Sequence, residues 1–479
     1  METPRLRFIF VRALLAAVCT LSFASTQAAD TDLAKSARDA LRQAATFYRT
    51  QVAVNGGYVY FYSADRKQRY GEGKASPTQI WVQPPGTPTV GMAYVKAHEA
   101  TGDALYLEAL RAAAHALVYG QLESGGWIHS IDFDPRGKVH KYRNGKGGGR
   151  NFSALDDGVT QHALRFLMHA DRALQFKDAP VHRAVEIARA ALLKAQFANG
   201  AFPQGWEKPV PSVQPIKANY PAYDWRTENR VKNYWDMFTL NDDLAGDVAD
   251  TLFAAWEIYQ DQAARQALVR LGDFLILAQM PDPQPAWAQQ YDHQMRPIWA
   301  RKFEPPAISP RESQDVLETL LRIHRLTGDV KYLEPIPRAL AYLRKSLLPD
   351  GRHARYYELR TNRPLYMTSD YKLTYSDTDV PKHYGFKTES RLDAIEGDYA
   401  ALKGGKVTKT ARSAAELEKE VRRIVGELDG QGRWLSRYGG ETLIGQTKFA
   451  PGASYISSER FSRNMEALSE YLLAARTGK

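Results

Sequence analysis

Apolar residues recur every three to four positions in long runs along this chain, and short Gly-rich turns break the runs. Residues 32–52 set the pattern, with Leu33, Ala37, Leu41, Ala44 and Tyr48 on one helical face. The same period predicts helices over 89–99 and 104–119, hinged at Thr101-Gly102-Asp103. It predicts further pairs at 153–171 and 179–196, at 242–260 and 263–279, and at 309–326 and 330–347, the last hinged at Thr327-Gly328-Asp329. Helices at 414–428 and 459–475 complete the set. Between pairs one motif recurs: a Gln or Leu, a Gly-bearing turn, then aromatics. Its copies are Asn55-Gly56-Gly57-Tyr58, Gly125-Gly126-Trp127, Asn199-Gly200-Ala201-Phe202, Pro281-Asp282-Pro283 leading to Trp287, Asp350-Gly351, and Asp429-Gly430-Gln431-Gly432-Arg433-Trp434. They are spaced 69 to 82 residues apart.

Each hairpin has one apolar face and needs neighbours on both sides. The first helix lacks a preceding partner and the last lacks a following one, so the two are expected to pack together and close a ring. The prediction is an all-α fold, an α/α toroid, with 30–479 as a single domain; a solenoid that fails to close is the alternative. Links within hairpins are short and links between them long, so the long loops fall on one rim. That rim also carries the N-termini of the first helices, where the macrodipole is positive and favours an anionic ligand.

Composition adds a location and a partner. Arg5, Arg7 and Arg12 precede or interrupt an apolar run from Phe8 to Phe23, and Thr26-Gln27-Ala28 offers small residues for cleavage. Residues 1–29 are read as a secretory signal, with a membrane anchor as the weaker reading because the apolar run is short. Cys19, the one cysteine, lies inside it. An exported chain without thiols suits a periplasmic or secreted protein. Of the net charge of +10, the signal holds three arginines and one glutamate, leaving about +8. A basic exported chain suits an acidic partner. No nucleic-acid motif or dense Lys/Arg run is present. The expected partner is an acidic polysaccharide or oligosaccharide, with no nucleic acid, no membrane after signal removal, and a monomeric protein.

Candidate chemistry sits at three helix starts. Trp299-Ala300-Arg301-Lys302-Phe303-Glu304-Pro305-Pro306 cannot be helical, since proline disfavours the α conformation before it. Ser309-Pro310-Arg311-Glu312 then reads as a capped helix start. Arg301 is thereby held on a stiff loop, either to handle an anion or merely to pair with Glu304. The other two starts, Leu155-Asp156-Asp157-Gly158 and Leu240-Asn241-Asp242-Asp243, carry doubled carboxylates. Ser153 with Asp156, and Thr239 with Asp242, match the capping-box spacing. Capping explains one acid per helix and not two, whereas facing pairs of hard oxygen ligands suit Ca²⁺. His162 and His169 are read as structural.

From Gly125 to about Arg391 the chain resembles the pectic acid lyases of polysaccharide lyase family 10. The motifs that carry this are Leu155-Asp156-Asp157-Gly158-Val159-Thr160, Lys194-Ala195-Gln196 with Asn199-Gly200, Thr239-Leu240-Asn241-Asp242-Asp243, Trp299 to Pro306, and Ala354-Arg355-Tyr356-Tyr357-Glu358-Leu359-Arg360-Thr361-Asn362-Arg363-Pro364. The resemblance implies Ca²⁺-assisted β-elimination on a galacturonate-type glycan. It implies Arg301 as the catalytic base and Asp156, with Asp242 or Asp243, as metal ligands. It places Arg355 on a neighbouring carboxylate, and Lys302, Arg311, Arg363, Asn241 and Asp157 among the substrate-binding residues. Met367-Thr368-Ser369-Asp370 and Pro381-Lys382-His383-Tyr384-Gly385-Phe386 stand where relatives of this kind carry arginines, which puts the polymer's identity in question. The insertion 207–238 holds Tyr220, Tyr223, Trp225, Tyr234 and Trp235, which either stack on sugars or pin the loop. Two other classes compete: a glycoside hydrolase using a carboxylate pair, and a non-catalytic binder of acidic glycans.

Overall fold

The computed structural model describes residues 32–137, 140–227, 230–405 and 412–477. The expected signal, 1–29, lies outside the described residues. Twelve α-helices dominate: α1 (Asp32–Phe47), α2 (Thr87–Thr101), α3 (Ala104–Tyr119), α4 (Val159–Ala173), α5 (Ala179–Lys194), α6 (Leu244–Tyr259), α7 (Gln262–Leu277), α8 (Pro310–Thr327), α9 (Ile336–Lys345), α10 (Leu392–Lys403), α11 (Ala414–Gly426) and α12 (Ser458–Thr477). They form two rows. In the inner row α12, α2, α4, α6, α8 and α10 each pack on the next; in the outer row α11, α1, α3, α5 and α7 do the same. The chain's ends meet where α12 packs against both α1 and α2, as an α/α toroid requires. Among the described residues no helix is long and apolar enough to cross a membrane.

The hinges follow from local chemistry. Gly102 ends α2 with φ 72°, and its N–H reaches the His98 carbonyl at 2.7 Å. Asp103 then caps α3 by accepting from Leu105 N–H. Gly328 and Asp329 repeat the device after α8. Pro335 splits the predicted helix 330–347 into a 3₁₀ turn, Val330–Leu333, and α9, because proline removes a donor and crowds the preceding turn. Helix α10 was not expected from the sequence pattern.

The recurring turn glues one hairpin to the next. Gln121 Nε2 donates to Gly125 O in its own turn and to Ala184 O on α5, both at 2.9 Å. Gln196 does so to Gly200 O at 3.0 Å and Ala267 O on α7 at 2.8 Å. Gln279 does so to Pro285 O and Pro335 O. The aromatic that follows returns to its own helix: Trp127, Trp287 and Trp434 donate their indole N–H to Leu117 O, Leu275 O and Ile424 O. Those carbonyls lie in the last turn of a helix, where the regular i+4 donor is missing.

Short strands, unforeseen in an all-α reading, thread the long loops. Ser153–Ala154 pairs antiparallel with Gly205–Trp206, Phe238–Thr239 with Gln290–Tyr291, and Ala307–Ile308 with Tyr356–Glu358. Each leads straight into the start of an inner helix: α4, α6 and α8. Two such ladders fix the heights of the acid-bearing turns on the rim, and the third fixes the start of α8 beside them.

Candidate functional site

Ahead of α4 and α6 sit two 3₁₀ turns, Asp156–Gly158 and Asn241–Asp243, in contact with each other. They superpose in kind. Asp157 (φ 47°) corresponds to Asp242 (φ 50°), and Gly158 (φ 67°) to Asp243 (φ 56°). Aspartate tolerates this left-handed region better than most side chains. At Gly158 a Cβ would lie 2.4 Å from His162 Nδ1, so a side chain there would have to displace His162. Neither turn is a capping box. Ser153 Oγ instead accepts from Gly126 N–H at 2.9 Å, and Thr239 Oγ1 donates to Met237 O. The capping alternative for the doubled acids therefore fails, and so does the box at α8: Ser309 makes no cap bond and donates instead to the Glu312 carboxylate.

Asp156, Asp157 and Asp242 bring carboxylate oxygens within 4.8 Å of one another. Asp243, expected as a ligand, is outside this group; its position in the turn aims it at Asp247, Asp315 and Arg322. Burial, then Asp315 and Asp247, push its carboxyl up to about 8. Asp157, expected as a substrate residue, takes the vacant role in the trio. Burial and the neighbouring Asp242 raise Asp156; burial, Asp156, Asp242 and Glu72 push Asp157 up to about 7, though its exposure to solvent moderates that repulsion. A hard divalent cation fits the donor set. Three carboxylates converge without His or Cys, and Asn241, in the same turn as Asp242, has a buried Oδ1 with no hydrogen-bond partner.

Cations face the trio. Arg311 reaches Asp242 at 3.1 Å, and Arg355 lies 4.0 Å from the same oxygen. Arg355 is only 4% exposed, committed to Glu312 at 2.9 Å, and lies over the Tyr384 ring. It therefore supports Asp242 from below and does not project into the cleft. Arg301 senses Asp156, as expected of a residue on the same rim. Its guanidinium grips Glu304 with Nε at 2.7 Å and Nη2 at 2.5 Å, which leaves Nη1 outside the pair. Gln289 Nε2 donates to the same carboxylate at 2.6 Å, and Tyr384 Oη lies 3.3 Å from it. Burial alone would lower the Arg301 pKa, but the hydrogen bonds and charge of Glu304 outweigh it and hold the cation. Lys302, expected among the substrate-binding residues, is exposed and turned over the Tyr371 ring.

Arg363 lies over the Tyr375 ring in a separate cluster with Glu358 and Arg226. Of the insertion's aromatics, Tyr220 and Tyr223 bond Pro281 O and Pro297 O, and Trp225 is buried, so these three pin the loop. Tyr234 and Trp235 instead wall a cavity of about 540 Å³ that opens beside Asp156 and Asp157. Sequence reasoning missed four contributors. Gln204 hydrogen-bonds Asp156. Gln83 donates to Asp157 at 3.0 Å and to Glu72 at 3.1 Å. Tyr384 completes the list. Glu72 and Gln83 come from a segment with no motif of its own. His162 binds Gly158 O, the structural role expected of it.

Residues 121–352 match the family model described as pectic acid lyase. A comparison with curated proteins finds no match. Among solved structures, a family 10 polysaccharide lyase from Cellvibrio cellulosa is 19% identical, with 67% of this chain and 98% of that chain covered and a TM-score of 0.46. A mutant of a family 10 polysaccharide lyase from the same organism, in complex with trigalaturonic acid, is 18% identical, with 66% and 98% covered and a TM-score of 0.47. Cellobiose 2-epimerase from Spirochaeta thermophila is 14% identical, with 93% and 98% covered and a TM-score of 0.48. The chain is thus a pectate lyase-like enzyme, a carbon–oxygen lyase acting on polysaccharides, and its resemblance to the pectic acid lyases is carried by residues 121–352.

Proposed function

We propose that the chain is an exported enzyme that cleaves a galacturonate-type glycan by Ca²⁺-assisted β-elimination. The observation that supports it most is the carboxylate trio, Asp156, Asp157 and Asp242, set among Arg301, Arg311 and Arg355 on one rim. Export rests on the basic and apolar leader, 1–29. A mutant family 10 lyase holding trigalaturonic acid makes an acidic oligosaccharide the natural substrate to test.

The reaction needs a base at C5 of a uronate and an electrostatic sink for its carboxylate. Bound by the trio, Ca²⁺ would neutralise that carboxylate and stabilise the enolate-like charge that builds as C5 loses its proton. Arg311 adds positive charge on the Asp242 side. Arg301, neutral at Nη1, takes the C5 proton and becomes the guanidinium. The C5–H pair forms the C4=C5 double bond, the C4–O bond breaks, and the departing oxygen takes a proton from solvent. Glu304 orients Arg301 through two hydrogen bonds but also favours its charged form. Turnover is therefore tied to alkaline solution, where the neutral form is less rare.

The test is product chemistry on polygalacturonate. Elimination gives an unsaturated, ultraviolet-absorbing end; hydrolysis gives reducing ends without it; a binder gives neither. Arg301→Ala should lower unsaturated product by about 10²–10⁴-fold at alkaline pH. Near wild-type turnover in that variant would overturn Arg301 as the base.

A further inference from the structure

The two flanks of the carboxylate trio differ in charge. Arg311 and, behind it, the buried Arg355 stand on the Asp242 side, while Arg301 is near enough to act on both Asp156 and the cavity's Tyr234. On the other side opens the cavity of about 540 Å³, walled by the aromatic rings of Phe152, Tyr234 and Trp235. Its acids beyond the trio are Glu72 and Glu207, against one guanidinium, Arg150. Both acids are set in place: Glu72 accepts from Gln83 at 3.1 Å, and Glu207 accepts from Asn151 N–H at 3.1 Å. Burial keeps His129, on the same wall, neutral. Trp235 is 38% exposed at the mouth, with Tyr234 edge-on to it at 5.4 Å, so a flat apolar face is presented to the opening.

A pyranose ring stacks well on such a face, because its C–H bonds are apolar while its hydroxyls find acceptors at the edge. A free uronate carboxylate would enter beside Glu72 and Glu207 and meet like charge there. We propose that this cavity is a sugar subsite next to the cleavage point, and that it selects an uncharged pyranose over a free uronate. The preferred substrate then carries one uronate at the cations and the metal, flanked by a residue without a charge. That residue is either a methyl-esterified uronate or a neutral sugar. This rests on the lyase reading and adds the substrate class to it. Trp235 supplies the stacking face, and Glu207 supplies the repulsion that makes the choice.

The experiment measures kcat/KM for unsaturated product, with Ca²⁺ present, on three polymers of matched length: fully de-esterified polygalacturonate, a partly methyl-esterified form, and a polymer alternating uronate with a neutral sugar. Expected is a preference of about tenfold for at least one of the last two, and which one it is identifies the source of the uncharged ring. Glu207→Lys, an exposed side chain, should narrow that gap severalfold by raising the rate on polygalacturonate. Trp235→Ala should lower the rate on the preferred polymer about tenfold through KM, with kcat retained. Equal or faster cleavage of polygalacturonate by the wild-type chain, or a gap that Glu207→Lys leaves unchanged, overturns the subsite. If no polymer gives unsaturated product, the lyase reading falls instead. The subsite is then judged by calorimetric binding of trigalacturonate and its methyl ester: tighter binding of the ester supports it, and equal or weaker binding overturns it.

Discussion

At the scale of single residues, two aspartates that look alike in the sequence have different roles. Asp157 and Asp243 each complete a doubled carboxylate, but a one-position offset between the two turns sends Asp157 into the trio and Asp243 toward Asp247 and Arg322. Asp157→Asn should weaken Ca²⁺ binding about tenfold, measured by calorimetry, whereas Asp243→Asn should leave it within twofold. Equal losses in both would contradict the assignment. The motif order showed which turns matter; the offset was hidden, because it depends on backbone dihedrals that neighbouring sequence does not determine. Glu304 makes a second case. The local pattern offered it as a simple partner of Arg301, and it is that partner, but it is buried and gripped by Gln289 as well. Burial raises its pKa, yet the bonds to Arg301 win and hold it below the usual carboxylate range. A depressed carboxylate stabilises the fold above its unfolded value, about 4.3, and loses that contribution as pH falls through its folded value. Glu304→Gln should therefore cost about 2 kcal/mol at pH 7, a figure reduced for the solvent that reaches Arg301, with the gap closing below about pH 4. Denaturant midpoints across pH would check it, and a gap independent of pH would contradict the ion pair.

At the scale of elements, the helices and their hinges were legible because each carries its own chemistry: a 3.6-residue apolar period, a left-handed glycine and a capping aspartate. The short strands were not, since two residues are too few to show a period of two. Their pairing is long-range: Phe238 meets Tyr291 and Ala307 meets Glu358. The repeated Gln was visible as a pattern without a reason. The reason is that its amide bridges a turn to the neighbouring hairpin, donating to Gly200 O in the turn and to Ala267 O on α7. Arg270 completes the arrangement by donating twice to Gln196 Oε1, at 2.7 and 3.0 Å. Gln196→Ala should destabilise by about 1–2 kcal/mol, because it removes the bridge between Gly200 O and α7 and the acceptor of Arg270. A change below about 0.5 kcal/mol in chemical denaturation would contradict the bridging role.

At the scale of the whole molecule, the toroid stacks like helix ends side by side, so that the starts of α4, α6 and α8 converge on one rim and turn local acid-rich turns into a single site. The ring-closing contact of α12 with α1 was inferred from unpaired ends; its packing on α2 was not. The cavity's contributors from 72 and 83 could not be, since only closure brings that segment to the rim. With a net charge of +10, long-range attraction should speed encounter with a polyanion. The kcat/KM on polygalacturonate should fall severalfold between about 50 and 300 mM salt, with kcat little changed, and a flat profile would contradict that steering. The central claim is that the Asp156, Asp157 and Asp242 trio acts by holding a divalent cation. The most direct measurement is the ultraviolet rate of unsaturated product from a uronate polymer by the metal-stripped chain, before and after Ca²⁺ is restored. The account predicts a fall of at least about 10²-fold on stripping and full recovery with Ca²⁺; an unchanged rate in the stripped chain would contradict it.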